Sequence, residues 1–271
     1  MAQATGLRLP HASSSKRTDR MLAVLKTVNS RGAVPLADLA TELRVSAATL
    51  RRDLADMEDQ GLLIRTHGGA RPNAAHDEMP VHLRDQEAKE AKHRIAIRAA
   101  ELIPSGPYAV ALSGGTTTAG IARALARRTQ LTIVTNAVPI AMELAARPNA
   151  KVILTGGMVR STSFEAVGVL AEATFKAVNV GTAILGVDGI SAAGGATTHD
   201  EVEARTNHAM VDHAQRVMVV TDGSKVGRVT LARMADPEQI DLLITDSTAD
   251  PTELDALRAV GVTVHVVEPR R

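Results

Sequence analysis

The ten residues from Ala111 to Gly120, ALSGGTTTAG, hold a group of hydroxyls and glycines that invites a chemical question. An apolar run, Tyr108 to Leu112, stops at Ser113, and sequence with helical spacing follows the threonines. That order predicts a strand, a tight turn and a helix N-terminus. Such a turn aims backbone N–H groups, hydroxyls and the positive end of a helix dipole at one point, where a phosphate is the natural occupant. Ser113, Gly114, Gly115, Thr116, Thr117 and Thr118 are therefore candidate phosphate ligands. The loop lacks the Gly-Lys-Ser/Thr ending of a P-loop and is not a G-x-G-x-x-G fingerprint, so neither ATP nor NAD is expected, and no other cofactor.

Seven short apolar runs, YAVAL, LTIVT, KVILT, TAILGV, RVMVVT, DLLIT and VTVHVV, alternate with helical stretches from residue 104 onward. Nearly continuous apolar strands of this kind predict an α/β domain with a mostly parallel sheet covered on both faces. Ligands of such sheets bind beyond the carboxyl ends of the strands. Suitable residues recur there: Asn136 after the second run, Gly156 and Gly157 after the third, Asp188 after the fourth and Lys225 in TDGSKVG after the fifth. Lys225 supplies the positive charge that a phosphate needs, and Asn136 and Asp188 can hydrogen-bond hydroxyls. The implied ligand is small, polyhydroxylated and phosphorylated.

Such a ligand is compatible with detection or with turnover. An isomerase needs a carboxylate base and a second proton-handling group. Asp188, Glu201 and Glu203 are available as bases, but the sequence pairs none of them with an evident acid. His199, His208 and His213 do not repeat on one helical face, so no metal set is expected. Detection is the preferred reading and no catalytic residue is assigned. A sugar-phosphate isomerase-like enzyme and a DNA-binding scaffold without a ligand are the alternatives.

DNA enters the argument through residues 17–72. Met21, Val24, Leu25 and Val28 lie on one helical face, and Gly32 fits that helix's end. Pro35 opens a second helix whose stripe is Leu36, Leu39, Ala40 and Leu43. Ser46 is a good N-cap for a third, with Leu50, Leu54 and Met57 inward and Gly61 as its C-cap. The short gap before Ser46 has the length of a helix-turn-helix corner. Ala47, Ala48, Thr49, Arg51 and Arg52 face outward in the third helix's first turns, where small residues allow close approach and the polar ones can donate to phosphates or base edges. The acidic residues Asp53, Asp56, Glu58 and Asp59 follow. LLIRTHGGA then reads as a wing, a strand and return around a glycine turn, offering Arg65, His67 and Gly68 to the duplex.

The charge distribution agrees. The chain of 271 residues has a net charge of +1, yet residues 1–72 hold 11 Lys+Arg against 7 Asp+Glu, and residues 73–271 hold 20 against 23. A basic module before a slightly acidic one fits nucleic-acid binding at the front. Hydrophobic residues are 45% and aromatics 1%, so the core must be aliphatic, and the absence of cysteine excludes disulfides and thiolate chemistry. No apolar run reaches the roughly 18 residues a membrane helix needs, and the N-terminus lacks the apolar region of a signal peptide. A cytoplasmic protein with no membrane partner is expected. The expected organisation is a disordered tail at 1–16, a winged helix-turn-helix at 17–72, a linker and connecting helix at 73–103, and an α/β effector domain at 104–271. The run Lys89, Lys92, His93, Arg94 and Arg98 is interleaved with glutamates and reads as a solvated face of that connecting helix.

ELRVSAATLRRDL, EDQGLLIRTHGGA and the spacing between them resemble the winged helix-turn-helix of DeoR-family bacterial transcriptional regulators. ALSGGTTTAGIARAL, LTIVTNAVPIA, VILTGG, GVDGISAAGGATT and TDGSKVG resemble the sensor domain of the same family. The resemblance covers about residues 17–267. It implies that Ser46 to Arg52 read DNA, that Arg65 to Gly69 form the wing, and that the second domain is similar in fold to ribose-5-phosphate isomerase. It further implies a homo-oligomeric repressor with a double-stranded operator and a phosphorylated sugar effector.

Overall fold

The computed structural model describes residues 15–73, 78–84, 87–147 and 150–269. Of the tail expected at 1–16, residues 1–14 lie outside the described residues, whereas Ser15 and Lys16 already belong to the first helix. The chain divides into two compact units, one ending at Met79 and the other starting at Pro80.

The first unit contains helices α1 (Ser15–Arg31), α2 (Leu36–Glu42) and α3 (Ala47–Asp59) and strands β1 (Val34–Pro35), β2 (Leu63–Thr66) and β3 (Gly69–Pro72). Met21, Val24, Leu25 and Val28 of α1 are buried with Leu39, Leu50, Leu54 and Met57. The corner between α2 and α3 is a Schellman turn: Arg44 N–H donates to the Thr41 carbonyl at 3.2 Å and Val45 N–H to that of Ala40 at 3.1 Å. Arg44 adopts the left-handed conformation there, at φ 53°, which glycine would adopt at less cost. Ser46 then caps α3, its Oγ accepting the Thr49 N–H at 3.1 Å. The wing adds a third strand that the sequence reading lacked. β3 pairs antiparallel with both β2 and β1, and a Cβ on Gly69 would lie 2.0 Å from the Val34 carbonyl oxygen.

Asp53 departs from the run of outer acidic residues. It is buried on the inner side of α3, where Arg20 Nε donates to it at 2.6 Å and Arg17 Nε at 3.2 Å. Arg17 also pairs with Asp56. These ion pairs tie α3 to α1.

The second unit opens with α4 (Val81–Arg84) and α5 (Lys89–Glu101). It continues through β4 (Tyr108–Leu112), α6 (Thr116–Leu125), β5 (Leu131–Thr135), α7 (Val138–Ala145), β6 (Lys151–Leu154), β7 (Met158–Val159) and β8 (Ala166–Val167). Then come α8 (Val169–Lys176), β9 (Thr182–Gly186), β10 (Gly189–Ser191), β11 (Gly195–Thr198), α9 (Glu201–Val211) and β12 (Val217–Val220). The last elements are β13 (Ala232–Ala235), β14 (Leu242–Asp246), α10 (Pro251–Ala259) and β15 (Thr263–Val267).

All seven apolar runs pair in one parallel sheet, in the order β15-β14-β12-β9-β4-β5-β6. Alternate residues of each strand serve opposite faces. Val110, Leu112, Ile133, Ile184 and Met218 pack under Ile95, Ile121, Ile140 and Leu144 of α5, α6 and α7. Ala111, Val134, Leu185 and Val219 pack under Phe175, Met210 and Leu257 of α8, α9 and α10. Helix α5 is therefore a covering element of this unit, with Ile95, Ala96 and Ala99 buried. The antiparallel sheet β10-β11-β13 and the ribbon β7-β8 were absent from the sequence reading because segments such as GIS and GATT carry no long apolar run.

Replacing Asp53 with Ala should cost about 2 kcal/mol, the usual range for hydrogen bonds to a charged group. Urea unfolding of the protein checks this, with loss in the transition of the first unit expected and no change in that of the second.

Candidate functional site

In the first unit the outer residues of α3 form one surface. Ala47, Ala48, Arg51 and Arg52 are exposed, and the two arginines make no ion pair among the described residues. Thr49 is half-buried, and its hydroxyl lies 2.9 Å from that of Ser46. Both hydroxyls thus serve the cap as well as the outer face. On the wing, His67 and Gly68 are exposed at the tip. Gly68 also accepts the Leu36 N–H at 2.6 Å through its carbonyl. Arg65 is tethered: its backbone N–H donates to Glu58 at 3.0 Å, and its Nε lies 3.5 Å from the same carboxylate. These residues form a basic helix start and a basic hairpin with shallow side chains, the pattern expected of a reader of duplex grooves.

In the second unit the topology selects one crevice. Strand β4 lies between β5 and β9, and the chain after β4 runs to one edge before returning to build the other. The loops after β4 and β9 therefore diverge at a topological switch point, where open α/β sheets bind ligands. Ser113 joins the two strand ends there. Its N–H donates to the Ile184 carbonyl at 3.1 Å, and its Oγ accepts the Gly186 N–H at 3.0 Å.

A cleft of about 590 Å³, counting its open mouth, lies beside this junction. Gly114, Gly115, Thr116 and Thr117 form one wall, and Gly186, Val187 and Asp188 form another. Gly115, at φ 118°, opens α6 so that its first turn points at the cleft. Lys225 enters from a short turn, Gly223–Lys225, locked by Asp222, which accepts the Ser224 N–H at 3.1 Å. Gly223 is required because a Cβ would lie 2.2 Å from the Ala249 nitrogen. Val81 and Arg84 of α4 and Lys92 of α5 complete the lining, the last two adding positive charge.

The structure thus gathers Gly114, Gly115, Thr116, Thr117, Asp188 and Lys225, and leaves five candidates aside. Ser113 is buried and joins the strand ends. Thr118 is fully buried, its hydroxyl donating to the Gly115 carbonyl at 2.9 Å. Asn136 is fully buried, and its amide donates to Asn207 Oδ1 at 3.2 Å. Gly156 and Gly157 are exposed and form the turn into the β7-β8 ribbon, where Gly157 permits close approach to Val167. For Ser113, Thr118 and Asn136 the physical reason is common: a position at the carboxyl edge of a sheet does not fix whether a side chain turns toward the crevice or back into the fold, whereas Gly156 and Gly157 follow β6, the edge strand, away from the β4–β9 junction. Arg84 and Lys92 were missed, Lys92 because its neighbours on α5 face solvent.

Four acidic side chains balance the cations. Asp188 accepts Arg84 Nη1 at 2.8 Å and Thr198 Oγ1 at 3.2 Å. Glu203 accepts Thr198 Oγ1 at 2.7 Å and pairs with Arg160. Glu165, nearly fully buried, accepts the Gly114 N–H. Burial, then the neighbouring Glu203, push the Glu165 carboxyl well above the usual range, against the Gly114 N–H and Arg160. Asp222 also lines the cleft. Of the histidines weighed for a metal, His208 Nδ1 lies 2.9 Å from the Met234 carbonyl and His213 Nδ1 lies 3.0 Å from that of Ala209.

Comparisons with known proteins agree with this division. The model of the DeoR-like helix-turn-helix domain matches residues 20–75, and that of the DeoR C-terminal sensor domain matches residues 87–247. The HTH-type transcriptional regulator GlpR of Haloferax volcanii is 36% identical over 247 residues, covering 91% of this chain and 96% of the relative. The glycerol-3-phosphate regulon repressor of Escherichia coli K12 is 34% identical over 235 residues, covering 86% of this chain and 92% of the relative. Among solved structures, ribose 5-phosphate isomerase from Plasmodium falciparum is 10% identical over 49% of this chain and 51% of that one, with a TM-score of 0.37. None of the described helices is long and apolar enough to cross a membrane. With a reading helix and wing in its first unit and a sensor-type α/β unit after it, the chain belongs to the DeoR family of helix-turn-helix regulators.

Proposed function

We propose that this protein is a sequence-specific transcriptional repressor that releases or engages its operator in response to a small phosphorylated sugar or polyol. The observation that carries the effector half is the cleft at the β4–β9 switch point, where the start of α6 and Lys225 stand opposite buried Asp188. Its basic side suits a phosphate, and its carboxylates suit hydroxyls. The relative named for the glycerol-3-phosphate regulon supports an effector of this class.

The reading helix α3 enters the major groove by its N-terminal turns, with Arg51 and Arg52 on phosphates or base edges and Arg65 and His67 reaching the flanking backbone. Two copies reading half-sites about 34 Å apart, or a multiple of that, fit this geometry. Exposed Leu154, Met158, Val159, Val169 and Leu170, on the free edge strand β6 and the elements after it, support homo-oligomer assembly. The working compartment is the cytoplasm, and no cofactor is required. A switch from 1:99 to 99:1 needs about 5.5 kcal/mol of differential effector affinity. Several charge-assisted hydrogen bonds to one phosphate supply a total of that order.

A mobility-shift titration on the DNA upstream of the protein's own gene, repeated with a panel of sugar phosphates, tests the whole reading. One complex that responds to one class of phosphate is expected, and indifference to every phosphate would remove the effector. Arg51→Ala and Arg52→Ala should each weaken operator binding and reduce the slope of log affinity against log salt by about one. An unchanged slope would show that the reading helix has been misassigned. Lys225→Ala should weaken binding of the effective phosphate by about tenfold or more in calorimetry, with operator affinity in its absence unchanged.

A further inference from the structure

The wall of the cleft already holds an acid of the protein's own. Glu165 sits at the end of the tight loop between β7 and β8 and is 3% exposed. Its Oε1 accepts the N–H of Gly114, the first residue of the candidate phosphate loop to line the cleft. The two are packed so closely that a Cβ on Gly114 would lie 2.5 Å from Glu165 Cγ. The loop thus presents glycine where Glu165 is seated.

The surroundings of this carboxyl are mixed in charge. Glu203 on α9 is its acidic neighbour, and Arg160 on its own loop pairs with Glu203. The Nε of Arg160 is also 3.3 Å from Asp200. One guanidinium therefore serves two carboxylates beside Glu165. Farther around the cleft, Asp188 is engaged by Arg84 at 2.8 Å, and Asp222, Lys92 and Lys225 complete the charged lining. Two neighbouring buried carboxyls ionise together only at raised pH, because the second charge is opposed by both desolvation and repulsion.

We infer that Glu165 is a specificity-determining residue of the effector site: its carboxyl already occupies the first N–H of the loop, so an anionic ligand is admitted together with a proton on the Glu165–Glu203 pair. This rests on reading the loop as the anion site. The proton removes one negative charge from the place where the ligand's charge arrives, and leaves the Gly114 N–H satisfied. Anion affinity is then highest below the titration of the pair and falls as pH rises through it, by up to about tenfold per pH unit. The sensor consequently responds to acidity and phosphorylated ligand jointly. Glutamine at position 165 keeps an acceptor for Gly114 and a donor for Glu203 but cannot ionise, so it should fix the pair in its receptive state.

The test is calorimetric titration of the full chain, wild type and Glu165→Gln, with sulfate and with glycerol 3-phosphate from about pH 5.5 to 8.5, in buffers of different ionisation enthalpy. Sulfate keeps its double charge over this interval, so any slope in its binding belongs to the protein. Wild-type affinity for sulfate should fall as pH rises, with uptake of up to about one proton per ligand. Glu165→Gln should bind sulfate with a nearly flat profile, negligible proton uptake, and affinity about tenfold above wild type at the alkaline end. Glu203→Gln should flatten the profile in the same way. Parallel profiles in wild type and both variants would overturn the inference while leaving the effector site standing. If neither anion binds any of the three proteins, or if Lys225→Ala leaves the affinity for both anions unchanged, the effector reading fails and the inference falls with it.

Discussion

A parallel sheet whose chain leaves its middle in both directions has one place where adjacent loops part, and the second unit is organised around that gap. Strands β4 and β9 are neighbours in space although about 70 residues separate Leu112 from Ile184, their last paired residues. A gap at the carboxyl ends of two strands exposes backbone groups that must find partners. Ser113 satisfies part of this demand by joining the strand ends with its own N–H and hydroxyl. The glycines that follow leave the start of α6 facing the opening. Lys225 reaches the same opening from the far side because its turn is closed by Asp222 and packed against Ala249.

Charge is the second constraint. Arg84, Lys92, Arg160 and Lys225 face Asp188, Glu203, Glu165 and Asp222 in or beside one small cleft. Burial of this many charges is tolerable only when they are paired or neutralised. Asp188 with Arg84 and Glu203 with Arg160 are paired. Glu165 accepts the Gly114 N–H and lies beside Glu203, and burial together with that neighbour raises its pKa against the Gly114 N–H and Arg160. A site built this way offers both cations and carboxylates to a ligand. Arg84 also belongs to α4, the first helix after the unit boundary at Met79 and Pro80, so the residue that partners Asp188 lies close in sequence to the entry from the DNA-reading unit.

The DNA-reading unit solves a different problem. Three short helices and a small sheet bury few large side chains, and the reading helix must stay rigid while its outer face remains polar. Leu50, Leu54 and Met57 supply the apolar contact, and buried Asp53 adds a polar tie to Arg17 and Arg20. That tie spends an acidic residue inside the helix whose outer face is basic. It thereby keeps a negative charge away from the outer face that carries Arg51 and Arg52.

Local sequence was enough to specify the elements and their class. Periodicity placed α1, α2 and α3, Ser46 marked the start of α3, and the apolar runs marked all seven strands of the parallel sheet, because helix and strand repeats are properties of neighbouring residues. The glycine-threonine loop and Lys225 were legible as residues of one sheet edge for a similar reason: each directly follows an apolar run. Tertiary structure alone decided which side chains share the cleft. Thr118, Asn136 and Ser113 carry the right chemistry at the right edge of the sheet, yet each is turned into the fold by a partner distant in sequence or by the start of its own helix. Glu165 and Arg160, Glu203, and Arg84 come from three separate segments and meet only because the ribbon, α9 and α4 converge on one opening. No local pattern encodes that meeting, since it depends on strand order and on the packing of charges that must find one another before they can be buried.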